Sequence, residues 1–155
     1  MSRIAGSLIF ILLAVVPVQS QIGFIVRGSF GASKSFLDEP FGGIAGGSVL
    51  VSLGSRIAIG PEYLYTRVNG FRIHSFSATG TYMFSPWRAH MTPYLGGTIG
   101  VIRDRDVRIN YTANRLNASA GAGLRLSLSR AFIAPEVRFG SYSFPTALIH
   151  LGYSF

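Results

Sequence analysis

The segment Leu116-Asn117-Ala118-Ser119-Ala120-Gly121-Ala122-Gly123-Leu124-Arg125-Leu126 decides the fold of this chain. Every second residue of the segment is Leu or Ala, and the residues between them are small, polar or charged. Because successive side chains of a β-strand point to opposite faces, this alternation predicts a strand with one apolar face and one polar face. An amphipathic helix would instead need apolar residues that recur three to four positions apart.

The same period of two recurs on both sides of this segment and predicts eight strands. The connections between them alternate in length, and the longer ones carry much of the charge, which is typical of outer-membrane barrels. The second strand gives no clean assignment of its faces. Strands are predicted near 21–32, 42–52, 57–66, 74–84, 94–101, 116–126, 132–139 and 147–155, with short turns at 53–56, 85–91 and 127–130 and longer connections at 33–41, 67–71, 102–114 and 141–145.

The polar face of these strands indicates which side points outward. Its residues are mostly Gly, Ser, Thr and Ala rather than the Lys and Glu of a hydrated exterior. Small side chains fit the narrow interior of an eight-stranded barrel, and the apolar face carries aromatic residues toward the strand ends, as membrane barrels do. We therefore expect an all-β, eight-stranded antiparallel up-and-down transmembrane β-barrel, closed because lipid offers no partner to an open sheet edge. The alternative is a soluble lipocalin-like carrier with its apolar face inward.

The composition supports a membrane barrel and argues against several other classes of protein. Charged residues make up 13% of the 155 residues, about half of the ~25% that is usual for soluble domains. The 14 Lys and Arg outnumber the 6 Asp and Glu, but the arginines are scattered, so nucleic acid is not an expected partner. Arginine also suits the phosphates of lipid headgroups. Cysteine is absent and no two histidines have the spacing of a local metal site, so we expect no cofactor and no metal.

The first 20 residues have the features of a secretory signal peptide. Arg3 gives a positive start, residues 4–16 are almost wholly apolar, and Pro17 ends the apolar stretch. This stretch is shorter than the ~20 residues that a membrane-spanning helix needs. We expect a signal peptide over 1–20, which is removed on export through the periplasm, and a barrel domain over 21–155.

The C-terminal segment Ile149-His150-Leu151-Gly152-Tyr153-Ser154-Phe155 resembles the terminal strand of bacterial outer-membrane barrels. Residues 92–97, 120–125 and 134–138 resemble the porin family of small OmpX-like and OmpA N-terminal-domain-like barrels. The resemblance covers the whole predicted barrel domain. It implies a place in the outer membrane of a Gram-negative cell envelope, with the barrel-insertion machinery as a partner. The assembly signal that this machinery would recognise comprises Ile149, Leu151, Tyr153 and Phe155.

Several charged side chains are expected inside the barrel. Glu62 and Glu136 each follow a proline and face the predicted lumen. Paired carboxylates can act as acid and base, but a buried charge without a partner is costly and arginines are available, so we expect structural ion pairs. Because side chains just fill an eight-stranded interior, no open pore is expected, and a narrow or gated channel is the alternative. The predicted lumen network comprises Arg27, Glu62, Arg125, Glu136 and Arg138.

An enzyme of the same architecture is a further alternative. Outer-membrane lipid A deacylases resemble this chain in size and carry a His and a Ser two residues apart on the lipid-facing side of a strand. None of the three histidines here is followed two residues later by a serine, and Ser75, next to His74, points to the opposite face. We therefore expect no catalytic residues.

The segment 103–108, Arg-Asp-Arg-Asp-Val-Arg, alternates in charge and is expected on a loop or a strand extension outside the membrane. It is either a solvated hairpin or a contact to the phosphates of lipopolysaccharide, to other outer-membrane lipids or to an unknown extracellular partner. The predicted function is that of an integral outer-membrane protein with a structural or surface-interaction role through its outer loops. The candidate contact residues are Arg103, Arg105 and Arg108.

Overall fold

The chain forms a closed barrel of eight antiparallel strands in a computed structural model. The structure describes residues 23–33, 42–68, 71–86, 89–106, 109, 111–140 and 145–155. The predicted signal peptide therefore lies outside the described residues, as does most of the predicted connections at 33–41 and 141–145. The strands are β1 (Gly23–Ser33), β2 (Gly42–Leu53), β3 (Ile57–Val68), β4 (Phe71–Met83), β5 (Met91–Asp106), β6 (Tyr111–Leu128), β7 (Ala131–Gly140) and β8 (Thr146–Ser154).

The barrel has two distinct ends. Each strand pairs with its neighbours along the chain, and β8 pairs with β1 to close the sheet. We call the end with the β2–β3, β4–β5 and β6–β7 connections the turn end, and the opposite end the loop end. The number of strands, their order and their antiparallel pairing confirm the predicted fold class.

One predicted connection is wrong. Residues 102–114 were expected to form one of the longer connections, with the charged segment on a loop or a strand extension; the structure shows the extension, because β5 continues to Asp106 and β6 begins at Tyr111. The two strands pair without a break from Ile102 opposite Arg115 to Asp106 opposite Tyr111. The charges of this segment alternate with the period of a strand, so high polarity concealed a regular ladder. The β5–β6 hairpin therefore reaches the same level as the ends of β3 and β4, since Asp106 is opposite Phe71, and β6 extends beyond Gly140, the last residue of β7, which is opposite Ser119. The predicted connection at 67–71 is also shorter, because only residues 69–70 separate β3 from β4.

The ladder between β2 and β3 is interrupted beside Pro61. Ser48 pairs with Glu62 and Val51 pairs with Ile59, so the register is the same on both sides of the gap. An inserted residue would have shifted the register, and the gap is therefore a local loss of pairing rather than a bulge.

Burial alternates along the strands as predicted, with the apolar face outward. The sequence left β2 unassigned, and the structure turns Ile44 and Leu50 inward and Val49 outward. Among the described residues, no helix is long and apolar enough to cross a membrane. The outward-facing apolar side chains include Phe24, Val26, Phe30, Ile59, Phe76, Leu95, Ile99, Val101, Leu116, Val137, Phe139, Ile149 and Leu151.

The interior is divided along the barrel axis. The part near the turn end is filled by an apolar cluster of Ile25, Leu50, Ala58, Met83, Tyr94, Phe132 and Ala134. Charged and hydroxyl side chains fill the middle. This division places the ion pairs described below between an apolar plug and the loop end.

Candidate functional site

Glu62 lies at the centre of a buried ion-pair cluster in the lumen. Its Oε2 atom is 2.9 Å from Nη2 of Arg27 on β1, and its Oε1 atom is 2.6 Å from Nη1 of Arg138 on β7. The side chain of Glu62 has no exposed surface, and those of Arg27 and Arg138 are 5% and 8% exposed. Arg27 also donates from Nε to the hydroxyl of Ser48 at 2.6 Å. One carboxylate therefore ties three strands together that are distant in sequence.

Glu136 is the second carboxylate of this cluster. Its Oε1 atom accepts a hydrogen bond of 2.7 Å from Nε of Arg138, so that one guanidinium bridges both glutamates. Its Oε2 atom accepts a hydrogen bond of 2.9 Å from the Tyr94 hydroxyl and lies 3.2 Å from Nε2 of His150. Each charge lies beside an opposite charge, and the attraction between them offsets the large free-energy cost of removing these ions from water.

The structure thus brings together four of the five residues that were expected in the lumen network. Arg125 is also buried, but its described contacts lie nearer the turn end. Its Nη2 atom donates to the Ser154 hydroxyl at 2.9 Å, and its guanidinium carbon lies 4.1 Å from the centre of the Phe132 ring. Arg125 therefore packs over an aromatic ring at the edge of the apolar plug.

A serine, a histidine and a glutamate form a chain of hydrogen bonds that the sequence did not reveal. The Ser29 hydroxyl lies 2.8 Å from Nδ1 of His150, whose Nε2 atom faces Glu136. These residues come from β1, β8 and β7, and closure of the barrel between β8 and β1 brings Ser29 to His150, which already lies beside Glu136 on the paired strands β7 and β8. The pairing of Ser29 with His150 across that seam is the signal that could have identified them. Both residues are fully buried.

A cavity of about 180 Å³ occupies the lumen on the loop-end side of the ion pairs. Glu62 and Arg138 are part of its lining, and the rest of the lining combines aliphatic residues with hydroxyl and amide residues. Neither Ser29 nor His150 lines the cavity. The aliphatic residues are Ile44, Leu64, Ile73, Ile102 and Leu148, and the polar ones include Thr66, Ser75, Ser77, Thr98, Asn117 and Ser119.

Two of the three candidate contact residues are described and lie on the β5 extension. Arg103 and Arg105 are exposed and point outward, whereas Asp104 between them points inward and lies 3.8 Å from Nε of Arg115. Arg108 lies outside the described residues. The alternation of charge along β5 therefore separates the signs onto the two faces of the strand.

The residues of the expected assembly signal share the outward face of β8. Ile149, Leu151 and Tyr153 are exposed there, and Phe155 follows the strand directly. The rings of Tyr153 and Phe155 meet edge to face, with their centres 4.9 Å apart. The backbone N–H of Phe155 donates to the carbonyl oxygen of Phe24 at 2.8 Å, so β1 holds the chain up to this residue.

The comparisons with known proteins agree with this geometry. Neither protein-family models nor curated proteins give a match to the sequence. Solved structures do match, among them the N-terminal β-barrel domain of Pseudomonas aeruginosa OprF, with a TM-score of 0.67 and 16% identity over 87% of this chain and 100% of that one. Neisserial surface protein A matches with a TM-score of 0.62 and 12% identity over 86% of this chain and 94% of that one. Ail, the attachment invasion locus protein of Yersinia pestis, matches with a TM-score of 0.51 and 14% identity over 88% of this chain and 100% of that one. The fold is therefore that of small bacterial outer-membrane β-barrels, as the sequence predicted.

Proposed function

We propose that this chain is an integral outer-membrane protein without an open pore, which acts from its outer surface. The observation that carries the proposal is the division of the barrel into a filled interior and an apolar exterior. The loop end faces the outside of the cell in this proposal, and the turn end faces the periplasm, as in other outer-membrane barrels. Outer-membrane lipids and lipopolysaccharide are then its immediate partners, and the barrel-insertion machinery places it there through β8.

The interior supports the absence of an open pore. The apolar cluster that includes Leu50 and Met83 fills the lumen near the turn end. Above it, Glu62 and Glu136 are each held by Arg138, and their side chains are 0% and 1% exposed. The loop-end cavity of about 180 Å³ ends on this cluster. To open a narrow or gated channel, both the apolar cluster and the ion-pair cluster would have to be displaced.

In planar lipid bilayers we expect the folded protein to show no steady conductance above that of the bare membrane. The reason is that ions would have to cross an apolar plug and a fully paired charge cluster. A shift in electrophoretic mobility between unheated and boiled samples serves as the control that folded barrel is present in the membrane. A stable open level with this control satisfied would establish the channel alternative.

The side-chain geometry favours a non-enzymatic role. His74 lies on the outer face of β4, where its Nδ1 atom is 2.8 Å from the Tyr63 hydroxyl, while Ser75 faces the lumen. The other serine beside a histidine, Ser29, is fully buried with His150 and offers a lipid no access to its hydroxyl. A nucleophile must meet its substrate, so neither arrangement supports a lipid-modifying reaction.

The soluble-carrier alternative is disfavoured by the exterior. Each strand carries at least one large apolar side chain on its outward face and most carry several, and a soluble monomer rarely exposes such a surface. The aliphatic and aromatic band instead matches the lipid-facing surface of a membrane barrel.

The orientation can be tested with single cysteines, because the chain contains none of its own. We expect a membrane-impermeant maleimide to label Ile109→Cys on intact cells, since Ile109 is exposed between β5 and β6 at the loop end. Ser55→Cys, an exposed position of the β2–β3 turn, is the matched control and should be labelled only after the outer membrane is permeabilised. The opposite pattern would show that the turn end faces outward, and labelling of both without permeabilisation would contradict a transmembrane barrel.

A further inference from the structure

The loop-end cavity is closed at its inner end and reaches water at its outer end. At the inner end, the side chain of Glu62 has no exposed surface and pairs with Arg138 at 2.6 Å. At the outer end, the side chains of Asp104 and Arg115 are 27% and 50% exposed. The cavity is therefore accessible from the loop end, and the ion-pair cluster blocks passage toward the turn end.

One wall of the cavity is an apolar patch centred on β2, to which this strand contributes Ile44. The side chains of Leu148 and Leu64 lie over Gly31 and Gly46, because a Cβ atom added to these glycines would be 2.8 and 2.9 Å from Cδ2 of the respective leucine. Gly31 is directly opposite Ile44, and Gly46 is two positions from Ile44 along β2. The two leucines thus occupy the space above the glycines, next to Ile44. We call Ile44, Leu64 and Leu148 the aliphatic patch.

The opposite wall of the cavity is mostly polar. β6 lies four strands from β2 in the closed sheet, and it contributes the amide of Asn117 and the hydroxyl of Ser119. The Ser119 hydroxyl is 2.6 Å from that of Thr98 on β5. Nearer the loop end, Ile73 on β4 and Ile102 on β5 add aliphatic surface. The inner part of the cavity consequently places hydrogen-bonding groups across from the aliphatic patch.

Further hydroxyl groups of the lining are available to a ligand. Thr66, Ser75 and Ser77 line the cavity, and none of their hydroxyls has a hydrogen-bond partner among the residues that the structure describes. Each hydroxyl can donate one hydrogen bond and accept others. A hydrocarbon ligand would remove water from these groups without replacing its hydrogen bonds, which is unfavourable. A ligand that fits this cavity must therefore carry hydrogen-bonding groups of its own.

The charges of the lining favour a neutral ligand. The described lining carries two carboxylates and two guanidinium groups. Glu62 pairs with Arg138 at 2.6 Å, and Asp104 faces Arg115 at 3.8 Å. An ionic ligand would meet both signs equally, and it would lose its hydration without gaining a net opposite charge.

The volume of the cavity limits the size of the ligand. An apolar protein cavity of about 150 Å³ holds one benzene molecule. The cavity here, of about 180 Å³, is slightly larger and open on one side. It therefore suits a molecule with a chain or ring of about three to five carbons and their substituents.

We propose that the loop-end cavity binds a small neutral polyol or sugar of about three to five carbons. The hydroxyl groups of the ligand bond to Ser75, Ser77 and the polar wall, and its C–H groups pack against the aliphatic patch. Such ligands suit a cavity with both kinds of surface, because nearly every carbon carries one C–H and one O–H group. The route of access rests on the proposed function, in which the loop end faces the outside of the cell, whereas binding itself does not depend on orientation.

The binding test uses refolded protein in lipid nanodiscs, with the methyl groups of isoleucine and leucine labelled with ¹³C. Erythritol, a four-carbon polyol with a hydroxyl on each carbon, is the probe. We expect its titration to shift the methyl resonances of the aliphatic patch in a saturable manner. The outward-facing Ile149 and Leu151 are the internal control and should not shift. The absence of a saturable shift in the aliphatic patch, or equal shifts of the lipid-facing methyl groups, would overturn the site.

Two further probes test the chemistry of the ligand. Butane-1,4-diol has the same carbon chain but lacks the two inner hydroxyls, so we expect it to bind at least about tenfold more weakly than erythritol. Threonate has a carboxylate at one end and should also bind more weakly, because the charges of the lining are balanced. Equal binding of butane-1,4-diol would show an apolar site, and tighter binding of threonate would show an anion site. Either result would overturn the proposal.

A pair of double variants tests the residues. Ser75→Ala with Ser77→Ala removes two hydroxyls of the cavity and should weaken erythritol binding at least about tenfold. Ser52→Ala with Ser127→Ala is the matched control, because it removes two buried lumen hydroxyls near the turn end that do not line the cavity, and it should bind erythritol like the unmodified protein. The heat-dependent shift in electrophoretic mobility verifies that both variants are folded. Equal affinities of the two variants for erythritol would contradict the assignment. The cysteine labelling of intact cells tests orientation alone, so failure of this site and failure of the proposed function can be told apart.

Discussion

Replacement of Glu62 by glutamine is expected to lower the free energy of unfolding of the barrel by about 3–5 kcal/mol. The change removes the carboxylate that lies 2.9 Å from Arg27 and 2.6 Å from Arg138, and it leaves two buried guanidinium groups with Glu136 as their remaining carboxylate in the cluster. Removing one partner of a buried ion pair costs this much because the charge of the other partner remains buried away from water. The measurement is a urea titration of the protein in lipid vesicles, with the folded fraction read from the unheated electrophoretic mobility.

Asp104→Asn is the matched control for this prediction, since it also removes one carboxylate that faces an arginine. The Asp104–Arg115 pair is 3.8 Å apart and its side chains are 27% and 50% exposed, so its loss should cost about 1 kcal/mol or less. Equal effects of the two substitutions would mean that water reaches Glu62 in the membrane and that the lumen is more open than we propose.

Gly100→Ala is expected to destabilise the barrel by roughly 3 kcal/mol, at the upper end of the usual cost of overpacking. A Cβ atom at this inward position would collide with the backbone carbonyl oxygen of Phe76 and lie 2.5 Å from Cα of Ser77. These are backbone atoms of the neighbouring strand, so the strain can be relieved only if β4 and β5 separate. The same urea titration measures the loss.

Gly97→Ala on the same strand is the control for this prediction. The nearest atom to its added Cβ would be the Ser119 carbonyl oxygen at an ordinary 3.7 Å. This change should be neutral or stabilise by up to about 1 kcal/mol, because alanine restricts the unfolded chain more than glycine does. If both alanine variants were equally stable, β4 and β5 would not approach each other at Gly100 as closely as the structure shows.

The fold could be predicted because apolar and polar residues alternate with a period of two in nearly every strand. The alternation of Leu116–Leu126 holds over its whole length in β6, and the terminal apolar residues of β8 point outward as expected. Prediction failed where polarity and periodicity gave conflicting signals. The charges of residues 103–106 left a loop and a strand extension equally open, and their alternation in fact continues the ladder of β5.

The candidate sites were less predictable, because they depend on contacts between distant strands. Facing charges of opposite sign indicated that Glu62 and Glu136 would meet arginines, but the sequence could not choose among the arginines. It also gave no sign that Ser29 would meet His150, since their proximity depends on the register in which β8 closes on β1.

The seam between β8 and β1 has a consequence for the order of folding events. The hydrogen bond between Ser29 and His150 spans 121 positions of the chain, and Arg138 of β7 reaches Glu62 of β3, 76 positions away, only when the sheet has curled shut. Contacts this far apart in sequence form slowly, because a long loop must close before any of them is gained. An open sheet that lacks β8 would leave polar side chains of the interior facing lipid without the full set of partners that closure gives them. We therefore expect a nascent barrel to gain most of its stability in one late and cooperative step, when the last strand pairs with the first.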